Sequence, residues 1–173
     1  MILTEIAKQY LHVREGKVNN IGKEIQMFQT ATWLAPGGWA WCSALMCWVL
    51  KEALLNPSYL NYLKSRYIGL ENPEKWRCRD ASAFGWAKWA AKLQPLHKDK
   101  IIFDEKEIAK QDDLVIYDFS HIGVVIENQM QIGFTLHTIE GNTHPKTAQR
   151  DGTGDGVYEM YRKPNLVKNY IRL

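Results

Sequence analysis

A chain of 173 residues suits one domain, residues 1–173, with its own hydrophobic core, and leaves little room for a second. Hydrophobic residues make up 46% and charged residues 24%, ordinary values for a globular protein. The net charge of +3 fits an anionic polymer substrate but is far too small to argue for nucleic acid. Three irregularly spaced cysteines without a C-x-x-C pair speak against a disulfide framework and against a zinc site built on thiolates.

The N-terminus, Met1-Ile2-Leu3-Thr4-Glu5, shows no basic segment followed by an apolar run, and no stretch reaches the length of a membrane span. The expectation is cytoplasmic synthesis without a cleaved leader, in a compartment that keeps thiols reduced. Residues 3–12 place Leu3, Ile6, Ala7, Tyr10 and Leu11 on one helical face. A second helix is predicted from about Lys23 to Trp33, ended by Ala35-Pro36-Gly37-Gly38. A third starts at Cys42, with apolar residues at 45, 46, 49, 50, 53 and 54, and stops at Asn56-Pro57. Cys42 extends that buried stripe backwards; Cys47 falls off it.

Residues 57–80 read as a short helix after Pro57, interrupted at Gly69 and Asn72-Pro73, with 76–79 as loop. Asp80 is the expected N-cap of a helix over 81–93. Beyond Pro95 the pattern changes to strands at 114–117, 121–126, 134–139 and 157–161, joined as an antiparallel meander. The run from Asp151 to Gly156 lacks the ligand pattern of a calcium loop and reads as a hairpin turn. Helices first and strands afterwards predict an α+β fold, the helices packed on a C-terminal antiparallel sheet.

Cys42 carries the chemistry of this sequence. A thiol at a helix start meets the positive end of the helix dipole, which favours the nucleophilic thiolate, and nearby N–H groups can stabilise an oxyanion. The competing reading is a small buried core residue. A thiol nucleophile needs a base, and the base needs an orienting group. Of five histidines, His12 and His97 read as surface residues, His137 lies within a strand and His144 follows a turn. His121 opens a strand directly after a turn, and Gly123 leaves its face uncrowded. Glu140 and Asn142, two apart at a strand end, are both candidates to accept the imidazole N–H. Cys78, between Arg77 and Arg79, is a rival nucleophile, though without a helix start or nearby histidine.

These pieces together resemble the CHAP/NlpC-type group of papain-like peptidoglycan hydrolases, specifically the amidases and endopeptidases of phage lysins. The resemblance lies in Arg14-Glu15-Gly16, Asn19-Asn20-x-Gly22, Trp41-Cys42-Ser43-Ala44, Asp113-Leu114-Val115-Ile116-Tyr117, His121-Ile122-Gly123-Val124-Val125, Thr138-Ile139-Glu140-Gly141-Asn142-Thr143, and Gly156-Val157-Tyr158 near Arg162. It implies a papain-like fold, Cys42 as nucleophile, His121 as general base, Glu140 as its orienting group and Asn142 as an auxiliary polar member. It implies cleavage of an amide bond in peptidoglycan, at the sugar–peptide junction or within the peptides, with no cofactor and no metal. Release at phage lysis, or injection as an antibacterial toxin with an immunity protein as partner, both fit. A deamidase or acyltransferase acting on protein side chains would use the same residues, and a non-catalytic binding module would keep only the fold. Three departures stand out. The family commonly has Pro-Gly before the Asp-Leu-Val strand, where this chain has Gln111-Asp112. It has Gly before the histidine, where this chain has Ser120. Segment 56–80 is also long, as a lid or specificity element would be.

Overall fold

The computed structural model describes residues 2–97, 99–129, 135–145 and 154–173. Helices occupy the first half: α1 (Leu3–Lys8), α2 (Lys23–Gln29), α3 (Cys42–Ala53), α4 (Pro57–Arg66), α5 (Pro73–Trp76) and α6 (Ala83–Leu93). Strands follow: β1 (Ile102–Phe103), β2 (Leu114–Tyr117), β3 (His121–Gln129), β4 (Thr135–Thr143), β5 (Gly156–Arg162) and β6 (Val167–Ile171). The fold is α+β, with one antiparallel sheet in the order β1-β6-β2-β3-β4-β5.

The first two helices are shorter than their apolar periodicity. After Lys8 the chain tightens into i→i−3 bonds, Tyr10 N–H to Ala7 and Leu11 N–H to Lys8, and the same happens after Gln29. The first turn of α1 is held from a distance. Asp112 accepts from the N–H groups of Ile2 (2.5 Å) and Thr4 (2.9 Å) and from the Thr4 hydroxyl (2.6 Å), satisfying donors a helix start leaves unpaired. Asn56-Pro57 and Asn72-Pro73, which read as stops, are also starts. Each Asn side chain accepts from the N–H three residues on, and each Pro occupies the first helical turn, so segment 56–80 carries α4 and α5. Trp76, expected in a loop, ends α5 and is buried. The N-cap of α6 is Ser82 rather than Asp80. The Asp80 carboxylate accepts from Ser82 N–H (2.8 Å) and lies over Gly85, where a Cβ would overlap it.

The sheet contains two strands beyond the expected meander. β6 lies beside β2, pairing Leu114 with Ile171 and Val115 with Tyr170, and β1 adds a two-residue edge. β2 is therefore central, and all four of its residues are buried. Its alternation serves two faces. Leu114 and Ile116 join Ile122, Val124 and Ile139 in the core under the helices, with Phe28, Leu45 and Trp86. Val115 and Tyr117 pack on the opposite face with Val125, Leu136, Leu166 and Tyr170. Phe134, expected to begin the third strand, and residues 151–153 of the expected hairpin turn lie outside the described residues. Among the described residues, no helix is long and apolar enough to cross a membrane.

Candidate functional site

Cys42 is the first residue of α3, and the preceding Trp41 supplies no side-chain cap. Cys42 is 6% exposed. The end of β4 approaches this helix start closely: at Gly141 a Cβ would lie 2.7 Å from the Trp41 ring and 2.9 Å from Leu45. That absence of a side chain lets the strand bring Glu140 and Asn142 to the base of α3.

His121 opens β3 after a turn whose last residue, Ser120, has φ 60°. Its Nε2 lies 2.9 Å from Glu140 Oε2. The neighbouring strand pairing sets Gly123 opposite Glu140, and a Cβ on Gly123 would sit 2.7 Å from Glu140 Cγ. Gly123 is therefore the space through which the carboxylate reaches the imidazole. Near-parallel rings of Tyr117 and Phe119 flank His121, with centroids at 6.0 and 5.7 Å.

Glu140 is fully buried, and a bare carboxylate there would be costly. It is instead enclosed by donors. Arg162, at the end of β5, contributes Nη2 at 2.6 Å to Oε2 and Nε at 3.1 Å to both oxygens. The Tyr117 hydroxyl (2.9 Å) and the Thr138 hydroxyl (2.8 Å) donate to Oε1. Burial pushes the Glu140 pKa up, but His121 and Arg162 outweigh it and hold the carboxyl near 2. Burial and the Glu140 charge push the Tyr117 phenol well up, which keeps it a donor.

The ionised carboxylate fixes the imidazole tautomer: Nε2–H donates to Glu140, so in the neutral ring Nδ1 carries the lone pair. Nδ1 is buried and meets no partner of regular hydrogen-bond geometry among the described residues. The Cys42 thiol nevertheless lies close enough to act on the ring. Burial pushes the His121 pKa down, but the charges of Cys42 and then of Glu140, with the Glu140 hydrogen bond, raise it to about 9. Chemically, the arrangement offers a thiol at a helix start, an imidazole that can take and return its proton, and a locked carboxylate behind the ring.

Of the two candidate orienting groups, the structure brings only Glu140 to His121. Asn142, at φ 55°, turns toward α3. Its Oδ1 accepts from Trp41 N–H (3.2 Å), and its Nδ2 donates to Asn20 Oδ1 (3.0 Å), Gly154 O (2.9 Å) and Glu15 Oε1 (3.3 Å). Glu15 also accepts from Trp41 Nε1 (2.9 Å) and from Asn20 N–H (2.8 Å). Asn142 thus anchors the residue before the thiol.

Nothing in the sequence by itself assigns a role to Arg162, Tyr117 or Thr138. Thr138 shares the face of Glu140 two residues on, the one local signal available; Tyr117 and Arg162 depend on strand pairing. Cys47, expected off the buried stripe, is fully buried because α3 is packed nearly all round. Burial pushes its thiol well up, and Cys78 beside it adds to that rise. Cys78 is itself buried. The other histidines lie elsewhere: His97 against the Arg66 carbonyl and the Tyr67 ring, His137 against Glu159 (2.8 Å) and Tyr161, His144 against Tyr158, and His12 exposed near the end of the first helical turns. Among the described residues, no group of three or more His, Cys, Asp or Glu could hold a metal ion.

No family model, no curated protein and no solved structure matches this chain.

Proposed function

We propose that this protein is a papain-like cysteine hydrolase of amide bonds in bacterial peptidoglycan, of the CHAP/NlpC type. The observation that carries the reading is the buried row from Cys42 through His121 to Glu140, its last member locked by Arg162. Two departures from the family's sequence pattern also support it. Asp112 and Ser120, which stand where that family commonly has glycine, have φ of 70° and 60°, the left-handed region that glycine enters without strain. The backbone is the one a glycine would make, and Asp112 uses its side chain to cap α1.

In this mechanism His121 Nδ1 takes the Cys42 proton and the sulfur attacks a peptidoglycan carbonyl, forming a C–S bond. The unpaired N–H groups at the start of α3 face the developing oxyanion. The imidazolium then gives its proton to the leaving amine as the C–N bond breaks. Water, activated by the same imidazole, hydrolyses the thioester. Nothing in this sequence of steps calls for a cofactor or metal. The chain would act on the wall after release at lysis or after injection.

The test is digestion of purified sacculi followed by mass spectrometry of the soluble muropeptides. New free amines should appear with the native protein and with Cys78→Ala, and be lost with Cys42→Ala. Unchanged sacculi with the native protein, or equal cleavage by Cys42→Ala, would refute the reading.

A further inference from the structure

The loop leading into Cys42 holds a large apolar side chain out in water. Trp33 is 64% exposed and Leu34 37% exposed. The loop is nevertheless firmly tied. The buried Gln29 side chain accepts from Gly37 N–H (2.9 Å) and donates to the carbonyls of Gly37 (2.8 Å) and Trp39 (3.2 Å). Trp39 Nε1 donates to Ala35 O (2.8 Å), and Asn20 Nδ2 to Gly38 O (3.3 Å). Trp33 N–H donates to Arg79 O (2.9 Å), and the next residue, Asp80, accepts from Ser43 Oγ (2.6 Å) beside Cys42. Trp33, Leu34 and Arg79 therefore form one rim, tied by two successive hydrogen bonds to the buried Ser43, the residue after Cys42 in α3. Arg79 is exposed, and its guanidinium reaches Thr32 O at 3.4 Å, which leaves donors for a ligand.

We infer that this rim is a subsite for the sugar–peptide junction of a peptidoglycan strand. The Trp33 indole takes the apolar face of a sugar ring, and the Arg79 guanidinium takes a carboxylate of the adjoining stem peptide. The inference rests on the hydrolase reading above. Within it, the sugar is the partner the chemistry selects. Stem peptides present methyl groups, carboxylates and amines, so the broad apolar surface an indole can cover belongs to the sugar ring. A planar guanidinium beside it suits a carboxylate. Fixing the loop in advance also removes much of the ordering cost of binding. The bond cut is then at or next to the glycan.

The test uses Cys42→Ala protein, which cannot turn over, and two probes: a disaccharide carrying its stem peptide, and the same stem peptide without sugar. Dissociation constants from calorimetry and the Trp33 indole N–H signal in NMR are the readouts. Trp33→Ala should weaken the sugar-bearing probe at least tenfold and the free peptide less than twofold. Arg79→Gln should weaken both. Equal weakening of both probes by Trp33→Ala, no weakening of either, or no binding of the sugar-bearing probe to the Cys42→Ala protein would overturn the subsite. Native protein that leaves sacculi intact, while Trp33-dependent binding persists, would sink the hydrolase reading and keep the subsite.

Discussion

At the scale of single residues, Glu140 decides the state of its neighbours. Glu140→Gln keeps the shape and removes the charge that helps hold the His121 proton, while burial still opposes it. The His121 pKa should therefore fall from about 9, read by NMR titration of its ring signals. The same change removes the carboxylate charge that the buried Arg162 guanidinium pairs with. Breaking a buried pair from one side costs about 3–5 kcal/mol, measurable by urea unfolding. Gly123→Ala acts on the same carboxylate sterically. Its Cβ would meet Glu140 Cγ at 2.7 Å and the Ile139 carbonyl oxygen at 2.8 Å. Overpacking of this kind costs about 1–3 kcal/mol, and it should also displace Glu140 from His121. Cys42 and His121 are legible in the sequence because each sits at an element boundary with a recognisable signature, glycine loop to helix and turn to strand; Glu140 is legible through its Glu-Gly-Asn-Thr run, although β4 continues past it to Thr143. Arg162 is not, since an arginine ending an alternating strand looks solvated until strand pairing buries it against Glu140.

At the scale of elements, the long periodic helices and the central meander are legible because apolar spacing reports burial directly. Helix ends and edge strands are less so. The first two helices end where side chains and i→i−3 bonds take over the carbonyls, and nothing in apolar periodicity encodes that. β6 is not legible because Val167-Lys168-Asn169-Tyr170-Ile171 alternates weakly, and its partner, β2, lies about fifty residues earlier in the chain. The cap of α1 shows the same limit: its acceptor, Asp112, is supplied from 108 residues away. Asp112→Gly keeps the left-handed backbone and removes the carboxylate. It should destabilise the protein by about 0.5–2 kcal/mol, the usual cost of losing a cap, and hydrogen exchange should show the loss concentrated in the first turn of α1.

At the scale of the whole molecule, the buried His121–Glu140 pair, with Cys42 the leading cause of the His121 rise, links stability to pH with a definite sign. The folded His121 pKa, about 9, lies above its ordinary 6.5. Its contribution is therefore full below about 6.5 and lost as pH rises through 9. The Glu140 pKa, about 2, lies below its ordinary 4.5, so that contribution is full above about 4.5 and lost as pH falls toward 2. Stability attributable to the pair should be greatest between roughly pH 4.5 and 6.5. The difference in unfolding free energy between native protein and Glu140→Gln across pH 2–10 reads it. Under the proposed mechanism the imidazolium is also the acid that expels the amine. Activity should then fall as pH rises through about 9, with that limb displaced to lower pH in Glu140→Gln.

Under the proposed mechanism, sulfur, imidazole and carboxylate act as one catalytic unit on the wall polymer. The direct measurement is the initial rate of free-amine release from purified sacculi by native protein, Cys42→Ala, His121→Ala and Cys78→Ala, each verified as folded by circular dichroism. The predicted result is release by the native protein and by Cys78→Ala, with the Cys42 and His121 variants reduced to background. Folded Cys42→Ala or His121→Ala protein that releases amines at the native rate, or a native protein that releases none, would contradict it.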